Sequence, residues 1–316
     1  LAGFPEITVR GKKGQKITLL VSESLTDEGA CNQRQTGRQH YYEYTLKGEG
    51  VETWHPRFSY YGFRYIQVEG AVLKGQKNTL HLPVIQKIQS CFVYNSAPKV
   101  STFQCSNRIF NEAHRLIEKA VRSNMQSVFT DCPHREKLGW LEQDHLCGPG
   151  LLYNYDLTGF LPQTLQNIAD AQHANGAVPT TAPEYVVFEG PGMDAFAESP
   201  EWGCTFVVLP FMYYETYGDD SLIRKYYNGM RRYIDYMTTR ANDGIVSFGL
   251  GDWYDYGDFR AGFSRNTPVP LVATAHYYMV VRYLVEAARM LDNRYDVAYY
   301  THLGEEINKA FHREFY

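Results

Sequence analysis

The sequence predicts a multidomain chain, with an antiparallel β-sandwich followed by a toroid of antiparallel helices. Three observations indicate this fold class. The chain has 316 residues, which is long enough for two domains. Short runs of β-branched and aromatic residues fill roughly the first 95 residues. Past residue 100 the apolar residues recur with a helical period instead.

The N-terminal part has several predicted strands, separated by glycine-rich or polar breaks such as residues 11–14 and 48–50. Runs of β-branched and aromatic side chains are typical of strands. Apolar and polar residues alternate imperfectly within residues 16–21, which favours a strand in a two-sheet sandwich. The strands are predicted at residues 7–10, 16–22, 41–46, 63–68 and 79–85. We therefore predict a β-sandwich domain over residues 1–95.

The C-terminal part, residues 96–316, has mainly helical patterns. Ser106 is the predicted N-cap of a helix with one apolar face, formed by Ile109, Ala113, Leu116, Ile117, Ala120 and Val121. Further helices are predicted at about 140–155, 159–173, 203–217, 220–239, 269–292 and 294–315. Long connections at residues 175–201 and 249–270 are expected to be irregular and to build a site at one end of the toroid.

Composition excludes several classes of function. The net charge of −4 gives no reason to expect nucleic acid or an anionic membrane as a partner. No apolar run is long enough to span a bilayer. The six cysteines lack zinc-like spacing, which favours free buried thiols and no metal site. Leu1 is not an initiator methionine and residue 316 lies within an amphipathic pattern, so we expect a truncated piece of a longer protein.

The densest group of polar residues lies at residues 130–144. Pro133 favours a helix beginning there, which would place Asp131 just before its N-terminus. Glycoside hydrolysis needs one carboxylic acid to protonate the leaving oxygen and a second carboxylate, and Asp131, Arg135 and Glu136 are candidates for such chemistry. The alternative is a capped helix start with solvated ion pairs.

The segment Asp-Cys-Pro-His-Arg-Glu-Lys-Leu-Gly-Trp, residues 131–140, resembles the signature of bacterial α-L-rhamnosidases of glycoside hydrolase family 78. Glu-Trp-Gly at residues 201–203, with the following residues 206–217, resembles a second family block. Leu-Gly-Asp-Trp at residues 250–253 resembles a third. Residues 52–58 and 62–65 resemble the sandwich that precedes the catalytic domain. The resemblance covers nearly the whole chain in family order.

This resemblance implies a β-sandwich and the first part of an (α/α)6 barrel that removes terminal α-L-rhamnose with inversion. It implies that Glu136 is the general acid and that the general base, a Glu, lies beyond residue 316, so this piece alone is expected to be inactive. The implied sugar-binding residues are Asp131, Arg135, Trp140, Glu142, Trp202, Asp252 and Trp253. Asp144 remains an alternative to Glu142 as the further carboxylate.

The expected partner is a rhamnose-containing glycoside or polysaccharide, with no cofactor, and the whole protein is expected in the periplasm or outside the cell. Two alternatives remain: a non-catalytic carbohydrate-binding protein, and another (α/α)6 glycosidase or a polysaccharide lyase. The acidic run Asp252, Asp255 and Asp258 faintly suggests a calcium loop, but its spacing lacks the EF-hand pattern.

Overall fold

The computed structural model describes residues 1–34 and 39–316. Contacts divide the chain into two compact units. The first contains residues 1–96 and 103–137, and the second contains residues 97–102 and 138–316. The expected domain boundary between residues 95 and 96 stays a prediction. The division by contacts differs from it because residues 103–137 group with the strands.

The first unit contains two sheets. Their strands are β1 (Ala2–Arg10), β2 (Lys16–Ser22), β3 (Tyr41–Thr45), β4 (Val51–Trp54), β5 (Tyr61–Gly62), β6 (Tyr65–Glu69), β7 (Val72–Leu73) and β8 (Val84–Phe92). One sheet has the order β4-β1-β8-β7, with β5 also paired to β1, and the other has the order β3-β2-β6. Every strand pair is antiparallel except β7 with β8, which is parallel.

The core of the first unit draws on both sheets. Ile7 and Val9 come from β1, and Ile17, Leu19 and Val21 come from β2. Their alternate positions are buried because successive side chains of a strand point to opposite faces. Burying each such side chain fully contributes roughly 1.5–3 kcal/mol. The predicted β-sandwich is confirmed.

The strand predicted at residues 79–85 was wrong in position, since β8 begins at Val84. The Asn78 side chain accepts a hydrogen bond from the Leu82 N–H at 2.9 Å and donates to the Leu82 carbonyl at 2.8 Å. Pro83 has no N–H to donate. These local bonds form a turn where β-branched and aromatic content predicted a strand.

Helix α1 (Arg108–Asn124) also belongs to the first unit. Its N-cap is Asn107 rather than the predicted Ser106, because the Asn107 side chain accepts a hydrogen bond from the Ile109 N–H at 2.9 Å. Within the described residues none of its side chains is buried. Five residues of its predicted apolar face, including Ile117, are exposed in this structure, and Val121 is half-buried.

The second unit is mainly helical. Its helices are α2 (Glu142–Leu146), α3 (Gly148–Asn154), α4 (Phe160–Ala171), α5 (Asp194–Ala197), α6 (Pro200–Gly203), α7 (Thr205–Tyr217), α8 (Ser221–Arg240), α9 (Val269–Met290) and α10 (Arg294–Phe315). Successive helices from α7 to α10 pack against one another. Over the described residues no helix is both long and apolar enough to cross a membrane.

Three sequence predictions for the second unit need correction. The connection at residues 175–201, expected to be irregular, contains the short helix α5 (Asp194–Ala197). The helix predicted at about 140–155 is two short helices, α2 and α3, separated at Cys147. The irregular connection at residues 249–270 contains a two-stranded hairpin of β9 (Asp255–Gly257) and β10 (Phe259–Gly262). The glycine and aspartate residues in this stretch argued against strands in the sequence, because both residue types are depleted in strands.

All six cysteines are free, as predicted. Only Cys31, Cys132 and Cys204 are buried, whereas Cys147 is exposed. The prediction of buried thiols therefore holds for half of them.

Candidate active site

The acidic segment at residues 130–137 is attached to the sandwich of the first unit. The Gly62 N–H in β5 donates to the Pro133 carbonyl at 2.6 Å. The Lys137 ammonium donates to the Tyr60 carbonyl and lies 4.1 Å from the centre of the Tyr60 ring, a favourable cation–π geometry. The middle and the C-terminal end of the segment are thus positioned by residues 60–62, at and just before β5.

No helix begins at Pro133, contrary to prediction. Residues 133–136 form a turn, and the next helix begins at Glu142. Lys137 has a φ of 59°, a left-handed conformation that does not continue a helix. Asp131 therefore does not lie at a helix N-terminus, and its surroundings come from the turn.

The turn brings two carboxylates and a guanidinium together. Single ligand atoms of Asp131, Cys132 and Glu136 all lie within 4.8 Å of one another. The Arg135 guanidinium is 3.9 Å from a carboxylate oxygen of Asp131 and 3.9 Å from one of Glu136. The carboxylate side chains are each 33% exposed. They remain accessible to a ligand while Arg135 compensates part of their charge.

Gly62 is required for this attachment, because an added Cβ would lie 2.7 Å from Pro133 Cγ. We expect Gly62→Ala to shift the acidic segment and to lower kcat/KM of the whole protein by about 10- to 100-fold, since small misplacement of reacting groups is costly. Steady-state kinetics measure the effect. Gly150→Ala is the matched control, because its added Cβ meets nothing within 4 Å. Equal activity of the two variants would show that the attachment does not position the segment.

The second unit contains a cavity of about 340 Å³. Four of the predicted sugar-binding residues line it, namely Glu142, Trp202, Asp252 and Trp253. The other lining residues are His145, Leu146, Glu201, Gly251, Thr267, Val272 and His276. Three separate sequence blocks thus meet at one cavity. The volume is at the small end of the range for ligand pockets, which suits a single sugar ring.

Trp140 does not line the cavity but belongs to a chain of aromatic rings beside it. Its ring stacks on Phe188 at 5.3 Å and meets Trp202 edge-on at 6.4 Å. Phe196 contacts both Trp140, at 6.5 Å, and Trp253, at 5.1 Å. Such edge-to-face pairs are favourable beyond the area that they bury. Phe196 thereby links the tryptophans. Sequence reasoning missed this role because the residue lies on the short helix α5, in a connection that was expected to be irregular.

Glu201 is the functional candidate that sequence reasoning missed. Its residue is only 6% exposed, and burial raises its pKa to about 7. The Ser199 hydroxyl donates to Glu201 Oε2 and accepts from the Leu250 N–H at 2.8 Å. Glu201 directly precedes Trp202 in the second sequence block, which was the available signal.

The connection that carries Asp252 and Trp253 passes very close to Glu201. Gly249 has a φ of 119°, and a Cβ there would lie 2.8 Å from Ser199 Oγ and 2.9 Å from Glu201 Oε2. A side chain does not fit at this position. The cavity wall that contains Trp202 and the wall that contains Asp252 and Trp253 are therefore in direct contact at Ser199, Glu201 and Gly249.

Burial favours the neutral forms of two histidines that line the cavity and of one acid beside it. Burial lowers the pKa of His145 to about 4 and also lowers the pKa of His276. Burial, with the nearby charge of Glu142, raises the pKa of Asp144 well above its usual range. Asp144 does not line the cavity, whereas Glu142 does. Cys204, which follows the Trp-Gly pair, is buried and donates to the Glu201 carbonyl at 3.3 Å.

Residues 98–316 match the family model of the bacterial alpha-L-rhamnosidase 6 hairpin glycosidase domain. Residues 1–94 match that of the bacterial alpha-L-rhamnosidase concanavalin-like domain. The chain belongs to the bacterial α-L-rhamnosidase family. The predicted family is therefore confirmed, and so is the predicted class of a sandwich followed by a six-hairpin helical domain.

Curated relatives match nearly the whole length of this chain. It is 28% identical over 331 residues to an alpha-L-rhamnosidase of Formosa agariphila, covering 100% of this chain and 34% of that protein. It is 30% identical over 317 residues to an alpha-L-rhamnosidase of Streptomyces avermitilis, covering 98% and 28%. The chain therefore spans about a third of the length of the curated relatives that it matches.

Solved structures agree with the rhamnosidase fold. The alpha-L-rhamnosidase from Dictyoglumus thermophilum superposes with a TM-score of 0.81 at 29% identity, covering 100% of this chain and 34% of that one. The Streptomyces avermitilis alpha-L-rhamnosidase complexed with L-rhamnose superposes with a TM-score of 0.80 at 28% identity, covering 99% and 28%.

Proposed function

We propose that the whole protein hydrolyses terminal α-L-rhamnosides with inversion of configuration at the anomeric carbon of rhamnose. The observation that carries this proposal is the meeting of Glu142, Trp202, Asp252 and Trp253 at one cavity. Trp202, Asp252 and Trp253 come from blocks that resemble segments of the family, and Glu142 follows the block at residues 131–140 by two residues. The named relatives are alpha-L-rhamnosidases, and one solved relative is complexed with L-rhamnose. The expected substrates are rhamnose-containing glycosides or polysaccharides.

The cavity chemistry suits a neutral deoxysugar. Two tryptophans, Trp202 and Trp253, offer apolar surface to the C6 methyl group of rhamnose, where a hydroxyl would lose its hydrogen bonds to water. Glu142 and Asp252 offer carboxylate oxygens that accept hydrogen bonds from ring hydroxyls. We assign sugar binding to these four residues and to the neighbouring Trp140.

Glu136 is the proposed general acid, and Asp131 and Arg135 are proposed to bind sugar hydroxyls. The carboxylates of Asp131 and Glu136 lie within 4.8 Å. An inverting pair is separated by roughly 6.5–9.5 Å to admit a water molecule. Asp131 is therefore too close to Glu136 to be its base. The proposal of a general base outside residues 1–316 rests on the family resemblance alone.

The alternative of a polysaccharide lyase is disfavoured by the cavity. A lyase must neutralise a substrate carboxylate. The described residues lining this cavity include no lysine or arginine, and the Arg135 guanidinium, proposed to bind sugar hydroxyls, already lies 3.9 Å from the carboxylates of Asp131 and Glu136. Their three carboxyl groups, on Glu142, Glu201 and Asp252, would repel an acidic sugar. The remaining alternatives are another (α/α)6 glycosidase and a carbohydrate-binding protein without activity.

Release of 4-nitrophenol from 4-nitrophenyl α-L-rhamnoside by the whole protein tests the proposal. We expect turnover of this substrate, with little turnover of the matched α-L-fucoside or β-D-glucoside. NMR of the first product formed is expected to show β-L-rhamnose, the inverted anomer. If the protein hydrolysed a different aryl glycoside and not the rhamnoside, the proposed substrate would have to be changed to that other sugar. Binding of rhamnose with no turnover of any glycoside would establish the carbohydrate-binding alternative.

A further inference from the structure

Trp253 connects the cavity to aromatic rings that are exposed to solvent. Its ring contacts Phe263 edge-on at 5.3 Å and Tyr254 at 6.2 Å. Tyr254 is 68% exposed and Phe263 is 47% exposed. Phe196 lies behind them, 5.6 Å from Phe263 and 5.1 Å from Trp253. One continuous aromatic surface thus leads from the cavity wall to solvent.

The two exposed rings are held by a rigid hairpin. Tyr254 has a φ of 67°, an unfavourable conformation for a bulky residue, and its N–H donates to the Gly262 carbonyl at 2.8 Å. Asp255 is buried, and its carboxylate accepts from the N–H groups of Arg265 at 2.8 Å and Asn266 at 2.7 Å. These bonds lower the pKa of Asp255. The fold thereby maintains two apolar rings in water, although exposure of apolar rings is unfavourable for stability.

The hydrogen bonds of Asp255 argue against a calcium site in this hairpin. Both carboxylate oxygens of Asp255 already accept hydrogen bonds, since Asn266 Nδ2 donates to Oδ1. A calcium ion needs several oxygen ligands free of such donors. The hairpin is therefore closed by its own backbone, and its exposed rings are free to take an organic ligand.

We propose that Tyr254 and Phe263 form a platform for the group attached to the sugar, so that the leaving part of the substrate packs a flat, uncharged face on these rings. This assignment rests on the proposed function, which places the sugar in the cavity lined by Trp253. A leaving group extends from the sugar towards solvent, and the aromatic surface beside Trp253 offers it contact. Such a face belongs either to an aryl ring or to a second pyranose.

Three substrates and the double variant Tyr254→Ala/Phe263→Ala of the whole protein test the platform. Methyl α-L-rhamnoside has a leaving group too small to cover the rings, 4-methylumbelliferyl α-L-rhamnoside carries a planar aryl group, and a rhamnosyl-glucose disaccharide carries a pyranose. We expect the variant to raise KM about 3- to 10-fold for one or both large substrates, as loss of ring stacking implies. The KM of methyl rhamnoside is expected to change less than that of the affected large substrate, since any loosening of Trp253 acts equally on all three substrates.

Tyr295→Ala is the matched control, because Tyr295 is a 75% exposed tyrosine on α10. A higher KM for the aryl substrate alone identifies an aryl leaving group, and a higher KM for the disaccharide alone identifies a sugar. Equal changes for all three substrates, no change for any of them, or the same pattern in Tyr295→Ala would overturn the platform. Failure of the unmodified protein on all three substrates would instead overturn the proposed rhamnosidase function.

Discussion

Glu136→Gln is expected to lower kcat/KM of the whole protein for α-L-rhamnosides by about 10²–10⁴-fold, the usual contribution of a general acid. Glutamine keeps the shape of the side chain but has no acidic proton for the leaving oxygen. The loss should be greater for methyl rhamnoside than for 4-nitrophenyl rhamnoside, because 4-nitrophenolate leaves with less need of protonation. Steady-state kinetics on both substrates measure this dependence on the leaving group.

A surface glutamate gives the control for this experiment. Glu112 lies on α1 in the same unit and pairs with Arg115 at 2.5 Å. Exposed pairs of this kind contribute little to stability, so Glu112→Gln should keep full activity. If Glu136→Gln retained activity within a few-fold on both substrates, the general acid would have to be another residue. Equal losses on both substrates would indicate a binding role for Glu136 instead.

Glu201→Gln is expected to change how stability depends on pH. The pKa of Glu201 rises from 4.5 to about 7 on burial, so between these values the folded protein binds a proton that the unfolded chain does not. The stability associated with the neutral carboxyl is complete below about pH 4.5 and is lost as pH rises through about 7. A shift of this size corresponds to about 3 kcal/mol at pH 8. Glutamine stays neutral and avoids this loss.

Unfolding midpoints of the whole protein and the variant, measured from pH 4 to pH 8, give the comparison. The two midpoints should agree near pH 4 and diverge above pH 5, with the variant more stable at pH 8. Other buried acids such as Asp144 titrate in both proteins and cancel in the difference. Glu215→Gln, at an exposed position of α7, should follow the unmodified protein throughout. Parallel curves for Glu201→Gln would show that Glu201 is ionised in the folded state at neutral pH.

The sequence was sufficient for the architecture because the period of the apolar residues changes sharply past residue 100. The prediction at residues 16–22 matches β2 in full, since its alternate residues Ile17, Leu19 and Val21 all enter one core. Predictions failed where local hydrogen bonds decided the structure. The Asn78 side chain forms a turn at residues 78–82, and the left-handed Lys137 prevents a helix after Pro133.

For the site, the motifs indicated residue types but not their surroundings. Trp202, Asp252 and Trp253 could be named because their blocks are recognisable in the sequence. Glu201 could not be singled out, because its role depends on the close approach of Gly249 and on burial that only the folded chain produces. The assignments of Glu136, Asp131 and Arg135 stay predictions that the kinetic experiments above address.

The grouping of residues 103–137 with the strands has a consequence for exchanging domains among related enzymes. A crossover near residue 95 would take the sandwich of one parent and the acidic segment of another. The Gly62–Pro133 hydrogen bond and the Lys137 contact with Tyr60 would then join side chains and backbones that had not evolved together. A crossover after Lys137, which transfers residues 1–137 as one cassette, keeps both contacts within a single parent. In such an exchange Glu136 should therefore be transferred together with the sandwich. The family model instead places this residue in the helical domain, which begins at residue 98.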